Sequence, residues 1–213
     1  MEHRGNGGGM EAMKAKILFL TLVFCFSHLS VLCAQEIFLE KATDEEYKVY
    51  CEVLMQTSQG DKPFFIVYDT TANLASGMLQ GFDRKTADYI KEQSGVTLDE
   101  DLIADFENKN KAAVKLEAKF TYNKNLSVVI APRKDIDDIF SSQEDGWEEF
   151  YKKYPGSTGT TELSRVGFNK DMTMALVYFG NQRHWLAGAG YYVILKKEDG
   201  NWTVLASAMA WIS

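Results

Sequence analysis

The sequence predicts an α+β fold, with N-terminal helices packed on a C-terminal antiparallel β-meander. Helical periodicity, opened repeatedly by capping signals, is confined to the residues before Thr160. From Thr160 onward the pattern changes to strands separated by turn residues. No internal repeat and no linker rich in Pro, Gly or Ser divides the two regions, so residues 35–213 read as a single α+β domain.

Thr43-Asp44-Glu45-Glu46 has the spacing of a capping box, and Tyr47, Tyr50, Cys51 and Leu54 follow at helical intervals, predicting a helix over 44–58. Phe64-Phe65-Ile66-Val67-Tyr68 after Pro63 reads as a strand. Asp83 to Ser94 reads as a helix with Gly95 as its stop. Thr97-Leu98-Asp99-Glu100 is a second capping box, and Leu98, Leu102, Ile103 and Phe106 form an apolar stripe behind it. Leu126 to Ala131 is a strand stopped by Pro132. Ser141-Ser142-Gln143-Glu144 is a third box, placed before the aromatic stripe Trp147, Phe150, Tyr151 and Tyr154. Strands are expected at Thr161–Phe168, Met174–Gly180, Ala189–Lys197 and Trp202–Trp211. Leu176 and Tyr178 alternate with Val177 and Phe179, so both faces of this sheet are apolar. One face is expected to pack on helices and the other to be covered or to line a cavity.

The N-terminus reads as an address. Residues 13–34 hold a positive stretch at Lys14 and Lys16, an apolar run from Ile17 to Phe26 and a small-residue end at Cys33-Ala34, the pattern of a secretory signal peptide. Residues 17–34 as an uncleaved anchor is the rival reading, and the apolar run is short of the roughly 20 residues a span needs. Lipidation at Cys33 is a third, with Leu32 standing where a small residue is usual. Residues 1–12 look like a mis-called start extension, with Met10 or Met13 as the true start. The expected location is therefore exported, periplasmic or secreted.

The whole chain has 213 residues, 46% of them hydrophobic and 25% charged, and a net charge of −7. This length can bury a core without disulfides. The acidic balance argues against a nucleic-acid partner, which needs a basic face. Removing residues 1–34 takes three basic and two acidic residues from the 23 and 30, leaving 20 and 28 and a charge of −8. Cleavage after Cys33 leaves Cys51 as the one cysteine, which cannot form an internal disulfide, and His184 as the one histidine.

Catalytic signatures are missing. There is no G-x-S-x-G elbow and no phosphate-binding G-x-x-x-x-G-K loop. Gly188-Ala189-Gly190 precedes a strand rather than a helix and reads as close packing, not as a dinucleotide fingerprint. Asp135, Asp137 and Asp138 resemble a calcium loop, but Phe140 stands where its glycine belongs. They read as helix-start acids facing solvent, as do Asp99-Glu100-Asp101. Cys51 on an apolar stripe reads as a buried structural thiol rather than a nucleophile. No cofactor or metal is expected. Asn125-Leu126-Ser127 and Asn201-Trp202-Thr203 match the glycosylation sequon, which counts only in a eukaryotic secretory route.

Two features stand out as recognition groups. Asn181-Gln182-Arg183-His184-Trp185-Leu186 joins two apolar strands and is expected to form a polar and aromatic loop above the sheet. Arg165 lies inside an apolar strand, where a charge is either solvated or paired. Glu162 falls on the opposite face by alternation, so a partner has to come from elsewhere. The candidate ligand-binding residues are Arg165, Tyr178, Asn181, Arg183, His184 and Trp185.

Several motifs occur together in order: Asp105-Phe106 with Asn110, Trp147-x-x-Phe150-Tyr151-x-x-Tyr154-Pro155-Gly156-Ser157, and Ser164-Arg165-Val166-Gly167-Phe168-Asn169. Ala175-Leu176-Val177-Tyr178, Gly188-Ala189-Gly190-Tyr191-Tyr192, Asp199-Gly200-x-Trp202 and Trp211-Ile212-Ser213 follow. On these residues, over roughly 101–213, the chain resembles a family of uncharacterised exported bacterial proteins. The resemblance implies export and one compact α+β domain, and no activity. Arg183-His184-Trp185 departs from it, because relatives often carry a cysteine- and glycine-rich turn there.

The expected function is a non-catalytic envelope protein that binds a small ligand or a protein partner. A carboxylate-dependent hydrolase and a structural or assembly protein are the alternatives. A pair of carboxyl groups roughly 5–9 Å apart in one cleft would favour the first. An exposed sheet edge or apolar patch would favour the second.

Overall fold

The structure, a computed structural model, describes residues 41–58, 62–75, 79, 82–121, 123–141 and 145–213. Residues 1–34, read above as a start extension and a signal peptide, lie outside the described residues. Lys41–Ser213 forms one compact unit, and the fold is α+β with its helices mainly in the N-terminal half, all before Thr160, and an antiparallel-rich sheet. No helix of the described residues is long and apolar enough to cross a membrane.

The elements are α1 (Asp44–Gln56), β1 (Phe64–Tyr68), α2 (Arg84–Ser94), α3 (Glu100–Lys109), β2 (Ser127–Ala131), α4 (Arg133–Ser141) and α5 (Gly146–Lys153). They are followed by β3 (Thr160–Leu163), β4 (Gly167–Phe168), β5 (Met174–His184), β6 (Ala187–Glu198) and β7 (Asn201–Ile212). The sheet is mixed and runs β2-β1-β3-β5-β6-β7, with β4 paired to β5 off this path. The predicted meander is its C-terminal part. β1 pairs in parallel with both β2 and β3, so two strands from the helical half extend the sheet.

The first capping box forms as read: the Glu46 N–H donates to Thr43 Oγ1 at 3.3 Å, and the Thr43 N–H donates to Glu46 Oε2 at 2.7 Å. α2 ends at Gly95, whose φ of +74° closes the helix in the left-handed region. The other two boxes are corrected. α3 starts after Asp99, whose side chain makes no cap bond. Ser141 is the last residue of α4, and α5 is capped by Asp145, whose carboxylate accepts from the Trp147 N–H at 3.1 Å. The predicted strand Thr161–Phe168 is broken at Ser164–Val166 into β3 and β4, because Ser164 and Arg165 turn inward to meet buried partners.

Alternation assigns the two faces. Phe65, Val67, Leu163, Val177, Val193 and Leu195 pack against Val49, Tyr50, Val53 and Leu54 of α1. On the opposite face Leu176, Tyr178, Tyr192 and Ile194 meet Ile90 of α2 and Leu102 and Phe106 of α3. Ile66 and Ala131 meet Ile136 of α4 and Trp147 and Phe150 of α5. Both faces are therefore covered, one helix on the first and four on the second. Cys51 sits in the first of these clusters, 3% exposed.

Candidate functional site

The helix on the first face is shorter than the strands beneath it. The 13 residues of α1 span about 20 Å and the 11 of β5 about 36 Å. The N-terminal end of α1 is anchored near the β6–β7 turn, where Lys197 Nζ and Trp202 Nε1 donate to Glu45. Its C-terminal end then stops short of the β5–β6 hairpin. The sheet left uncovered there forms a groove of about 490 Å³, within the usual size of small-molecule sites. Phe179, Tyr191, Val193 and Val204 give it an apolar floor, and Gln56 and Thr57 at the end of α1 form one wall. Ala187, Gly188 and Ala189 add little bulk where β6 enters, and Asn181, Arg183 and Ser207 supply polar groups.

The expected loop at 181–186 is corrected by the hydrogen-bonding register. β5 continues to His184, β6 begins at Ala187, and only Trp185 and Leu186 form the turn. Asn181 pairs with Ala189 and Gln182 with Gly188, with a register shift before His184. Asn181 and Arg183 continue the Phe179 face and enter the groove.

Asn181 is a fixed residue. Its Nδ2 donates to Thr158 O and Thr160 O, both at 3.0 Å, and to Thr161 Oγ1 at 3.1 Å. Its Oδ1 is thereby turned toward Arg183 and accepts from Arg183 Nε at 3.1 Å. The Tyr151 hydroxyl donates to Arg183 O at 2.8 Å, holding the backbone of the same residue. Arg183 is the one charged side chain among the described residues lining the groove.

The other candidates lie elsewhere. His184 stacks on Trp147 at 6.1 Å, and Trp185 meets Phe140 and Trp147 edge-on at 5.7 and 6.2 Å. Both belong to the aromatic cluster of α4 and α5, with Trp185 still 52% exposed and Leu186 85% exposed. Tyr178 is buried on the second face, where its hydroxyl accepts from Trp211 Nε1 at 2.7 Å. Burial pushes the Tyr178 phenol above its ordinary range, and the neighbouring Tyr192 up to about 12. Gly190 makes room for this pair: a Cβ there would lie 2.1 Å from Trp211 Nε1. The small residues of Gly188-Ala189-Gly190 thus serve packing.

Arg165 is 1% exposed and does not reach the groove. Its Nε and Nη2 donate to Glu46 Oε1 and Oε2 at 2.7 and 3.0 Å. Asn110 brackets it, accepting from the Arg165 N–H at 2.8 Å and donating from Nδ2 to Arg165 O at 3.1 Å. The Ser164 hydroxyl donates to Arg165 O at 2.8 Å, and the Phe168 N–H donates to Asp105 Oδ2 at 2.7 Å. Residues 164–169 are a buried junction between α1, α3 and the sheet.

A second concavity of about 300 Å³ is lined by Lys48, Glu52, Asn123 and Trp202 among others. Among the described residues no group of three or more His, Cys, Asp or Glu is placed to hold a metal ion. Compared with known proteins, the chain matches no family model, no curated protein and no solved structure.

The groove was only half legible. An apolar pattern on both strand faces signalled that the outer face was covered or lined a cavity. Gln56 and Thr57 gave no such signal, because their role depends on where α1 ends over the sheet.

Proposed function

We propose that this chain is an exported, non-catalytic binding protein that takes a small ligand in the groove between the end of α1 and the β5–β6 hairpin. The observation that carries the reading is the groove itself: an apolar floor beside a small set of fixed polar groups, the usual makeup of a ligand site. The signal-like segment at 13–34 and the resemblance to exported bacterial proteins support export. The hydrolase alternative needs two carboxyl groups facing one cleft. Among the described residues, the groove lining holds no carboxylate and the smaller concavity holds Glu52 alone.

The test is a thermal-shift screen of the full chain against sugars, peptides and small organic acids, repeated on Ser207→Trp. Ser207 is exposed on β7 and lines the groove, so the indole fills it without entering the core. A ligand at about 100 times its Kd adds roughly 2.7 kcal/mol to stability. A shift in the native chain that disappears in Ser207→Trp is expected. Silence across the panel, or a shift that survives the blocking variant, defeats the proposal.

An assembly role has one specific observation behind it. β7 is a 12-residue edge strand on which Leu205, Met209 and Ile212 are exposed, and long apolar edges invite strand pairing. Light scattering on the native chain and on Leu205→Lys separates the readings: a dimer that the lysine dissociates would favour assembly.

A further inference from the structure

We infer that the ligand of the groove is an amphipathic anion, an apolar chain or ring bearing a carboxylate or phosphate head, and that Arg183 holds the head. The inference rests on the binding role proposed for the groove and adds the ligand's chemical class.

Three observations place the charges. Among the described residues that line the groove, Arg183 is the one charged side chain. Its guanidinium is held at Nε by Asn181 Oδ1, and Asn181 is itself fixed through Nδ2, which has three acceptors within 3.1 Å for its two hydrogens. A planar fork held at one nitrogen keeps its two terminal nitrogens for an incoming group, and that edge matches two oxygens of a carboxylate or phosphate. Prior ordering also lowers the entropic cost of binding.

The wall at Gln56 and Thr57 has the opposite character. It is the C-terminal end of α1, where the macrodipole is negative, and its last turn holds no basic residue. Hydroxyls of Thr57 and Ser58 already donate to Val53 O and Met55 O there, each at 2.8 Å. An anionic head is disfavoured at this wall and favoured at Arg183. Between the two lie Phe179, Tyr191, Val193 and Val204, which offer contact to an apolar body and few hydrogen bonds. Among the described lining residues, a cationic ligand finds no carboxylate and a sugar finds few polar groups.

Calorimetric titration of the full chain with decanoate and with decanol, both below their aggregation limits, tests the assignment. Decanoate is expected to bind at least about ten-fold tighter, the equivalent of one charge-assisted contact. Arg183→Ala should erase that preference, and Arg183→Lys should keep part of it. Equal affinities in the native chain, or a preference that survives Arg183→Ala, overturns the anion assignment while leaving the groove reading intact. If Ser207→Trp still binds decanoate as the native chain does, or if neither compound binds at all, the groove reading falls as well. Sedimentation with phosphatidylglycerol vesicles separates the sources of the head group. Vesicle binding abolished by Arg183→Ala assigns it to a lipid, and decanoate binding without vesicle binding assigns it to a free acid.

Discussion

Arg165 and Glu46, 119 positions apart in the chain, form a buried bidentate ion pair with contacts of 2.7 and 3.0 Å. The same Glu46 carboxylate closes the capping box of α1 and accepts from the Val166 N–H at 3.1 Å. One side chain thus starts a helix, neutralises a buried cation and fixes the break between β3 and β4.

Removing either residue takes a bidentate contact away from a charge held in a dry interior. Glu46→Gln and Arg165→Met are each expected to lower unfolding free energy by about 3–5 kcal/mol. The double replacement should cost less than the two singles together, because each single already removes the shared contact. Urea denaturation of the four species in a double-mutant cycle measures the coupling.

Gly167 lies against the backbone of α3. A Cβ at this position would sit 2.6 Å from Phe106 Cβ and 2.7 Å from Phe106 Cα. Neither atom can move without the helix, so Gly167→Ala should destabilise by about 1–3 kcal/mol through overpacking. Denaturant midpoints of the two chains check this.

Glu45 predicts an acid limb of stability. Burial raises its pKa, but hydrogen bonds from Lys197, Lys48 and Trp202 outweigh burial and hold the carboxyl down to about 2, against an ordinary 4.5. A folded pKa below the unfolded value contributes stability that is complete above the unfolded value and is lost as pH falls through the folded one. The Tm difference between the native chain and Glu45→Gln should therefore be full above pH 4.5 and shrink toward pH 2. A difference that stays constant across that window would reject the assignment.

Asn181 is expected to act through Arg183. Asn181→Ala frees the guanidinium and leaves Thr158 and Thr160 carbonyls without their donor. Stability should fall by about 1–3 kcal/mol, and the preference for decanoate over decanol should weaken although Arg183 is still present. Undiminished selectivity in a folded Asn181→Ala chain would show that Arg183 needs no positioning.

What was legible in the sequence was local. The Thr43–Glu46 box set the start of α1, Gly95 set the end of α2, and turn residues with period-two runs marked the C-terminal strands, since caps and alternation act over a few residues. The expectation of an elsewhere-placed partner for Arg165 was also correct, but nothing in local sequence could point to Glu46. The misplaced capping boxes follow from the same locality: a Ser/Thr-x-x-Glu spacing only offers a cap, and here Ser141 ends α4 while Asp145 caps α5. By itself, then, the sequence determined the α+β class, most elements and an apolar pattern on both strand faces. Only the tertiary structure decided that β1 and β2 join the sheet in parallel and that Tyr178 and Asn181 face opposite ways. It alone set the groove where α1 ends, because register, burial and the meeting of distant side chains are non-local quantities.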